Sequence, residues 1–127
     1  LKMAETDVDD PVWDKFFTEP DAVVENLIER GRIALIYRDS YCARMNTQFG
    51  YKTEIDGQLA WACNCYGFGS KGLRPQIAGP KVLIAYVYDG RRYEVSLYAP
   101  EGTDADVGRI AQKYGGGGHK DAAGFIC

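Results

Sequence analysis

The residues best suited to chemistry are four consecutive glycines and the histidine behind them, Gly115-Gly116-Gly117-Gly118-His119, followed by Lys120-Asp121-Ala122-Ala123-Gly124. One glycine explains a helix end; four do not, because each loses extra conformational entropy on folding. Such a run lets backbone pass close to another group, and successive free amides form an anion-binding concavity. A short helical turn from His119 to Ala123 would add its N-terminal dipole. His119, the only histidine in the chain, would stand at the rim and donate to a phosphate or sugar oxygen. Taken alone, the same residues also read as a helix end, a flexible turn and an exposed histidine of no consequence.

The elements around this run must hold it. Asp10-Pro11 starts a short helix to Thr18, with the carboxylate as N-cap and proline at the first helical position. Glu19-Pro20 interrupts it, because the residue before proline avoids the helical region. Val24, Leu27, Ile28, Leu35 and Ile36 then recur at helical spacing, which predicts a helix over about 21–46 with a bend near Gly31. Arg30, Arg32, Arg38 and Arg44 read as its solvated face. Tyr51 to Ile55 and Leu59 to Tyr66 alternate around Asp56-Gly57, a hairpin signal. The glycine- and proline-rich stretch 67–80 reads as a loop long enough to carry function. Lys81 to Tyr88 and Tyr93 to Tyr98 form a second hairpin around Asp89-Gly90. A helix follows, capped by Thr103 or Asp104, with Val107, Ile110, Ala111 and Tyr114 as its apolar stripe and Gly115 at its C-terminus. Phe125 and Ile126 begin a closing strand. The expected fold class is α/β: a mixed, largely antiparallel sheet of about five strands with packed helices.

A chain of 127 residues can bury roughly two thirds of its unfolded surface and fold without staples. Its net charge of −3 is uneven. Residues 1–30 hold nine acidic and three basic side chains (−6), and residues 31–127 nine acidic and twelve basic (+3). A mildly basic body of this kind suits one anion site better than a broad duplex-binding surface. Of the four cysteines, Cys63 and Cys65 are one residue apart, too close for a common zinc knuckle, and no second pair with ligand spacing accompanies them. Period-2 spacing places both on one strand face as packed thiols. No signal peptide and no membrane-length apolar run is present, so the chain reads as cytoplasmic with no membrane partner. It begins at Leu1 and stops at Cys127 within an apolar run, so both ends read as cuts in a longer protein.

Gly-Gly-Gly-His, two residues, then Ala-Ala-Gly resembles the signature of the DHHA1 domain. That domain is the C-terminal, substrate-binding half of DHH-family phosphoesterases, which include RecJ-type exonucleases, oligoribonucleases and cyclic-dinucleotide phosphodiesterases. The likeness extends back through Val95-Ser96-Leu97 and Ala111-Gln112-Lys113-Tyr114. It covers residues 80–127 closely, and residues 21–79 are compatible. On this resemblance residues 1–20 are a linker and short helix from the interdomain region, and 21–127 a DHHA1-like domain.

The resemblance implies substrate contacts from Gly116, Gly117, Gly118 and His119, with Ser96 on the neighbouring strand. An arginine often follows two places after that serine; Tyr98 stands there instead. The phosphate contact would then fall to Arg74, Arg91 or Arg92, or Tyr98 would stack on a base. The implied ligands are a phosphorylated nucleotide, short RNA or single-stranded DNA. The implied partner is an N-terminal DHH catalytic domain holding manganese or magnesium. The family's Asp-His-His triplet does not occur here, so no catalytic residue, metal site or cofactor is expected in this chain, and no hydrolysis by it alone. The alternative function is a non-catalytic RNA-binding module like those appended to alanyl-tRNA synthetases. A purely structural or dimerising role is a third.

Overall fold

The structure is a computed structural model that describes residues 9–127. The chain divides after Tyr37 into two units. In the first, Asp10 accepts from the Val12 N–H at 2.9 Å, and α1 (Val12–Thr18) follows Pro11. Val12 and Phe16 are half-buried. Pro20 stands at the first position of α2 (Pro20–Phe49), where its missing N–H costs nothing. The expected helix is therefore present and longer at both ends. Up to Tyr37 most of its apolar residues are exposed: Val24, Leu27, Ile28, Leu35 and Ile36 lie open, while Val23 is half-buried.

The second unit begins with the remainder of α2 and holds six strands: β1 (Gly50–Ile55), β2 (Gln58–Asn64), β3 (Val82–Tyr88), β4 (Tyr93–Tyr98), β5 (Gly117–Gly118) and β6 (Ala122–Ile126). Their order is β1-β2-β3-β4-β6-β5. Only β2 and β3 run parallel. The fold is thus mixed α/β with a largely antiparallel sheet, one strand more than expected. Asp56 and Gly57 both have positive φ (52° and 71°), the two-residue turn that matches strand twist. In the wider β3–β4 turn, the Asp89 carboxylate accepts from the Arg91 and Arg92 backbone amides. Those bonds hold its pKa below the ordinary carboxylate value. Its counterpart α3 (Val107–Lys113) starts later than the sequence suggests. Thr103 is taken by a turn to the Pro100 carbonyl and Asp104 by an ion pair with Lys81, so Asp106 caps, accepting from the Arg109 N–H at 3.0 Å.

The alternation of the strands splits the core in two. One face packs Ala60, Ala62, Val82, Ile84 and Leu97 against Val107, Ile110 and Ala111 of α3. The other buries Trp61, Cys63, Leu73, Leu83 and Ala85, with Met45 of α2 against them. At the edge of this second cluster lies Asn46, fully buried. Its amide nitrogen donates to the carbonyls of Cys42 (2.8 Å) and Gly72 (2.7 Å). Its oxygen accepts from the Trp61 indole and the Arg74 backbone amide, both at 2.9 Å. One side chain thus joins helix, strand and loop, using both donors and two acceptor positions. Replacement by alanine strands a buried indole N–H, an amide and a carbonyl. We expect Asn46→Ala to lower the unfolding free energy by about 3 kcal/mol, read as a reduced urea midpoint.

Candidate functional site

The glycine run is a helix cap that becomes an edge strand. The Gly115 N–H donates to Gln112 and the Gly116 N–H to Ala111, closing α3. β5 then pairs with β6, Gly117 opposite Gly124 and Gly118 opposite Ala123. The His119 N–H donates to the Ala122 carbonyl, and Lys120-Asp121 forms the tip. The helical turn expected from His119 to Ala123 is therefore absent. Its carbonyls are recruited sideways, Lys120 by the Val107 N–H of α3 and Asp121 by the Ala99 N–H. That fixes the segment as a hairpin against β4.

The expected concavity of free amides is absent for the same reason. The 119–122 bond sets the antiparallel alternation, which makes 117–124 a hydrogen-bonded pair and 118–123 a non-bonded one. The amides of Gly115 and Gly116 are spent on α3 and that of His119 on Ala122, and the alternation leaves only the Gly118 amide outside these bonds.

The four glycines have different reasons to be glycine. Gly115 has φ +79° at the helix end. A Cβ on Gly116 would lie 2.1 Å from the Gly124 carbonyl oxygen, and one on Gly118, at φ +144°, 2.5 Å from the Ala123 Cα. Gly108 of α3 sits just above, where a Cβ would meet the Gly118 and His119 carbonyls at 3.1 and 3.0 Å. These glycines serve packing. Gly117 is the exception: its φ is not positive and nothing lies within 4 Å of where a Cβ would stand.

Register also tells which side each residue faces. Gly116 and Gly118 share the α3 face with Phe125 and Ala123, whereas Gly117 and His119 fall on the opposite face with Ser96 and Tyr98. One row across that face reads Cys63, Ala85, Ser96, Gly124, Gly117, all small. The next reads Trp61, Leu83, Tyr98, Ala122, with His119 beyond. His119 and Tyr98 are thus two strands apart, about 9–10 Å, on either side of Ala122. The β3 end of these rows is covered by the second core cluster, while Ala122 and His119 are exposed.

Ser96 and Tyr98 also line a cleft of about 250 Å3 under the loop that follows β2. Tyr66, Phe68, Gly67 and Gly69 form its roof, and the Tyr98 hydroxyl would lie 3.6 Å from a Cβ on Gly69. The sequence marks the start of this loop by its glycines; Phe68 between them and Tyr66 before them carry no comparable local signal. Cys65 lines the cleft too, but burial, with the Cys63 thiol as a second cause, pushes its pKa up to about 12. The raised pKa favours the thiol over the thiolate. Glu94 is the one charged side chain in the lining.

The arginines considered as phosphate ligands lie elsewhere. The Arg74 guanidinium bonds Asp39 at 3.1 Å and the Lys71 carbonyl. Arg92 faces Asp89 at 3.6 Å, and Arg91 follows Gly90 in the β3–β4 turn. None lines the cleft. Lys120, exposed at the hairpin tip, is the cation adjacent in sequence to His119. No hydrogen bond or ion pair engages the His119 imidazole among the described residues. Nor do three His, Cys, Asp or Glu side chains converge as a metal site there.

No family model matches the chain, and no curated protein does. Among solved structures, a pGpG-specific phosphodiesterase, PggH from Vibrio cholrae, aligns over 89% of this chain and 39% of its own, with 15% identity and a TM-score of 0.49. The chain therefore spans well under half of that protein. Similarity so distant is not evidence of shared chemistry. No helix among the described residues is long and apolar enough to cross a membrane.

The glycines can be separated by substitution. Gly118→Ala should cost about 2–4 kcal/mol through strain and overlap. Gly117→Ala should leave stability unchanged or raise it by about 0.5 kcal/mol, through a less flexible unfolded chain. Thermal melts of the two variants give the comparison.

Proposed function

We propose that this chain is a substrate-binding module that holds the phosphorylated end of a nucleotide or short single strand against the face carrying Gly117 and His119. The reading rests on one observation above all: Gly117 has neither a backbone nor a packing reason to lack a side chain. Space kept free at an exposed sheet edge, beside an unengaged imidazole, suits an incoming ligand. The Gly118 N–H at the edge, the His119 ring and Lys120 supply donors and charge for a phosphate. Ser96 continues the same row inward, where the terminal sugar would lie. Tyr98 and the Tyr66–Phe68 loop offer rings beside it for a base.

The resemblance of residues 115–124 to the DHHA1 signature supports the same reading and extends it. The module would position substrate for a DHH-type catalytic domain carrying manganese or magnesium, in a metal-dependent phosphodiesterase or exonuclease. Positioning alone can account for a large part of such catalysis.

The test is a titration of the 127-residue chain with AMP and with a 5′-phosphorylated dinucleotide, following backbone amide shifts. Saturable shifts at Gly117, Gly118, His119 and Ser96 are expected. Gly117→Ala and His119→Ala should each weaken binding about tenfold or more, with melting temperatures intact. A shallow salt dependence marks a single-end binder, and a steep one a broad RNA surface. Equal binding by wild type and Gly117→Ala would overturn the proposal.

A further inference from the structure

One charged group on the face of Gly117 and His119 has no role so far. Alternation along β4 puts Glu94 on the same side of the sheet as Ser96 and Tyr98, and therefore as Gly117 and His119. No hydrogen bond or ion pair engages its carboxylate among the described residues. It borders the cleft of about 250 Å3 under the loop that follows β2, whose lining holds no lysine or arginine. An ionised carboxylate accepts and never donates, so an occupant of this cleft is sorted by the donors it presents.

The cleft has a direction. Its floor is the pair Ala85 and Ser96, and its roof is the loop from Tyr66 to Gly69. At one end the Tyr98 hydroxyl comes within 3.6 Å of where a Cβ on Gly69 would stand, which narrows it. Leu83, opposite Tyr98, is buried and takes no part in the lining, whereas Val87, opposite Glu94, does. The space therefore extends toward Glu94. Ser96 lies two strands in from Gly117, about 9–10 Å. A nucleotide with its phosphate at Gly117 and its sugar at Ser96 sets its base between floor and roof, one edge toward Glu94.

The bases differ in what their Watson–Crick edges offer a carboxylate. Guanine presents two neighbouring donors, N1–H and the 2-amino group, which match the two carboxylate oxygens in parallel. Adenine and cytosine place a ring-nitrogen acceptor beside their amino donor, and uracil flanks its one N–H with two carbonyls. Each of those three sets a lone pair against the carboxylate. Resting on the phosphate-end reading above, we propose that Glu94 is the specificity residue of this site and selects guanine as the base of the bound nucleotide.

The 127-residue chain is titrated with GMP, dGMP, IMP and AMP, following backbone amide shifts. GMP and dGMP should bind alike and about tenfold or more tighter than AMP, with shifts at Glu94 as well as Gly117. IMP, which lacks the 2-amino group, should fall between them. Glu94→Gln should remove the advantage of GMP while AMP binding holds or improves, because a carboxamide pairs one donor and one acceptor, as the adenine edge does. Equal affinity for GMP and AMP, with the Gly117 shifts present, would overturn the guanine assignment and leave the phosphate site standing. A gap between GMP and dGMP in place of one between GMP and AMP would assign Glu94 to the sugar and overturn it likewise. Absence of Gly117 shifts with every nucleotide would overturn the phosphate-end reading and this one with it.

Discussion

The hydrogen bonds of Asn46 are the constraint on which the second unit depends. A carboxamide has two donors and one good acceptor oxygen, and here all of them face protein. Its partners lie in α2, in β2 and in the loop between β2 and β3, so none of those pieces can shift without leaving a buried polar group unmatched. The loop matters most. Its only regular element is a short 3-10 turn at Gly69–Gly72, yet the bonds at Gly72 and Arg74 anchor it to the helix. Anchored there, it brings Tyr66 and Phe68 over Ser96 and Tyr98.

The second organising feature is the close approach of backbone to backbone around β5 and β6. Gly108, Gly116, Gly118 and Gly124 each occupy a place where a methyl group would meet backbone at about 3 Å or less. Removal of those side chains lets α3, β5, β6 and β4 stack with little space between them. The face that results bears Gly117 and His119, whose side-chain directions lead away from the packing. On the proposed function, fold and binding thus draw on alternate residues of the same short motif.

Much of this was legible in the sequence because the signals were local. Asp56-Gly57 needed only two left-handed residues to fix β1 against β2, and the stripe Val107, Ile110, Ala111 announced α3. The misreadings came where partners were distant. Ala122-Ala123-Gly124 suits a helical turn or a strand equally well; pairing with β4 decided it. Thr103 and Asp104 are good caps in isolation, but a turn and Lys81 engaged them first. Asn46 looks like any polar residue in a helix, since its partners lie up to 28 residues away. Placement of Gly117 and His119 on the Ser96 face followed only from register, which no single strand discloses.

The shortness of β5 has a consequence for how this sheet meets other sheets. An edge strand of two glycines offers almost no ladder for a foreign strand to extend, and its hairpin turns away at once. At the far edge, β1 places Lys52 and Glu54 among its outward positions, charges that disfavour stacking of a like strand beside it. The domain can therefore keep a glycine-rich border exposed without that border becoming a template for edge-to-edge aggregation.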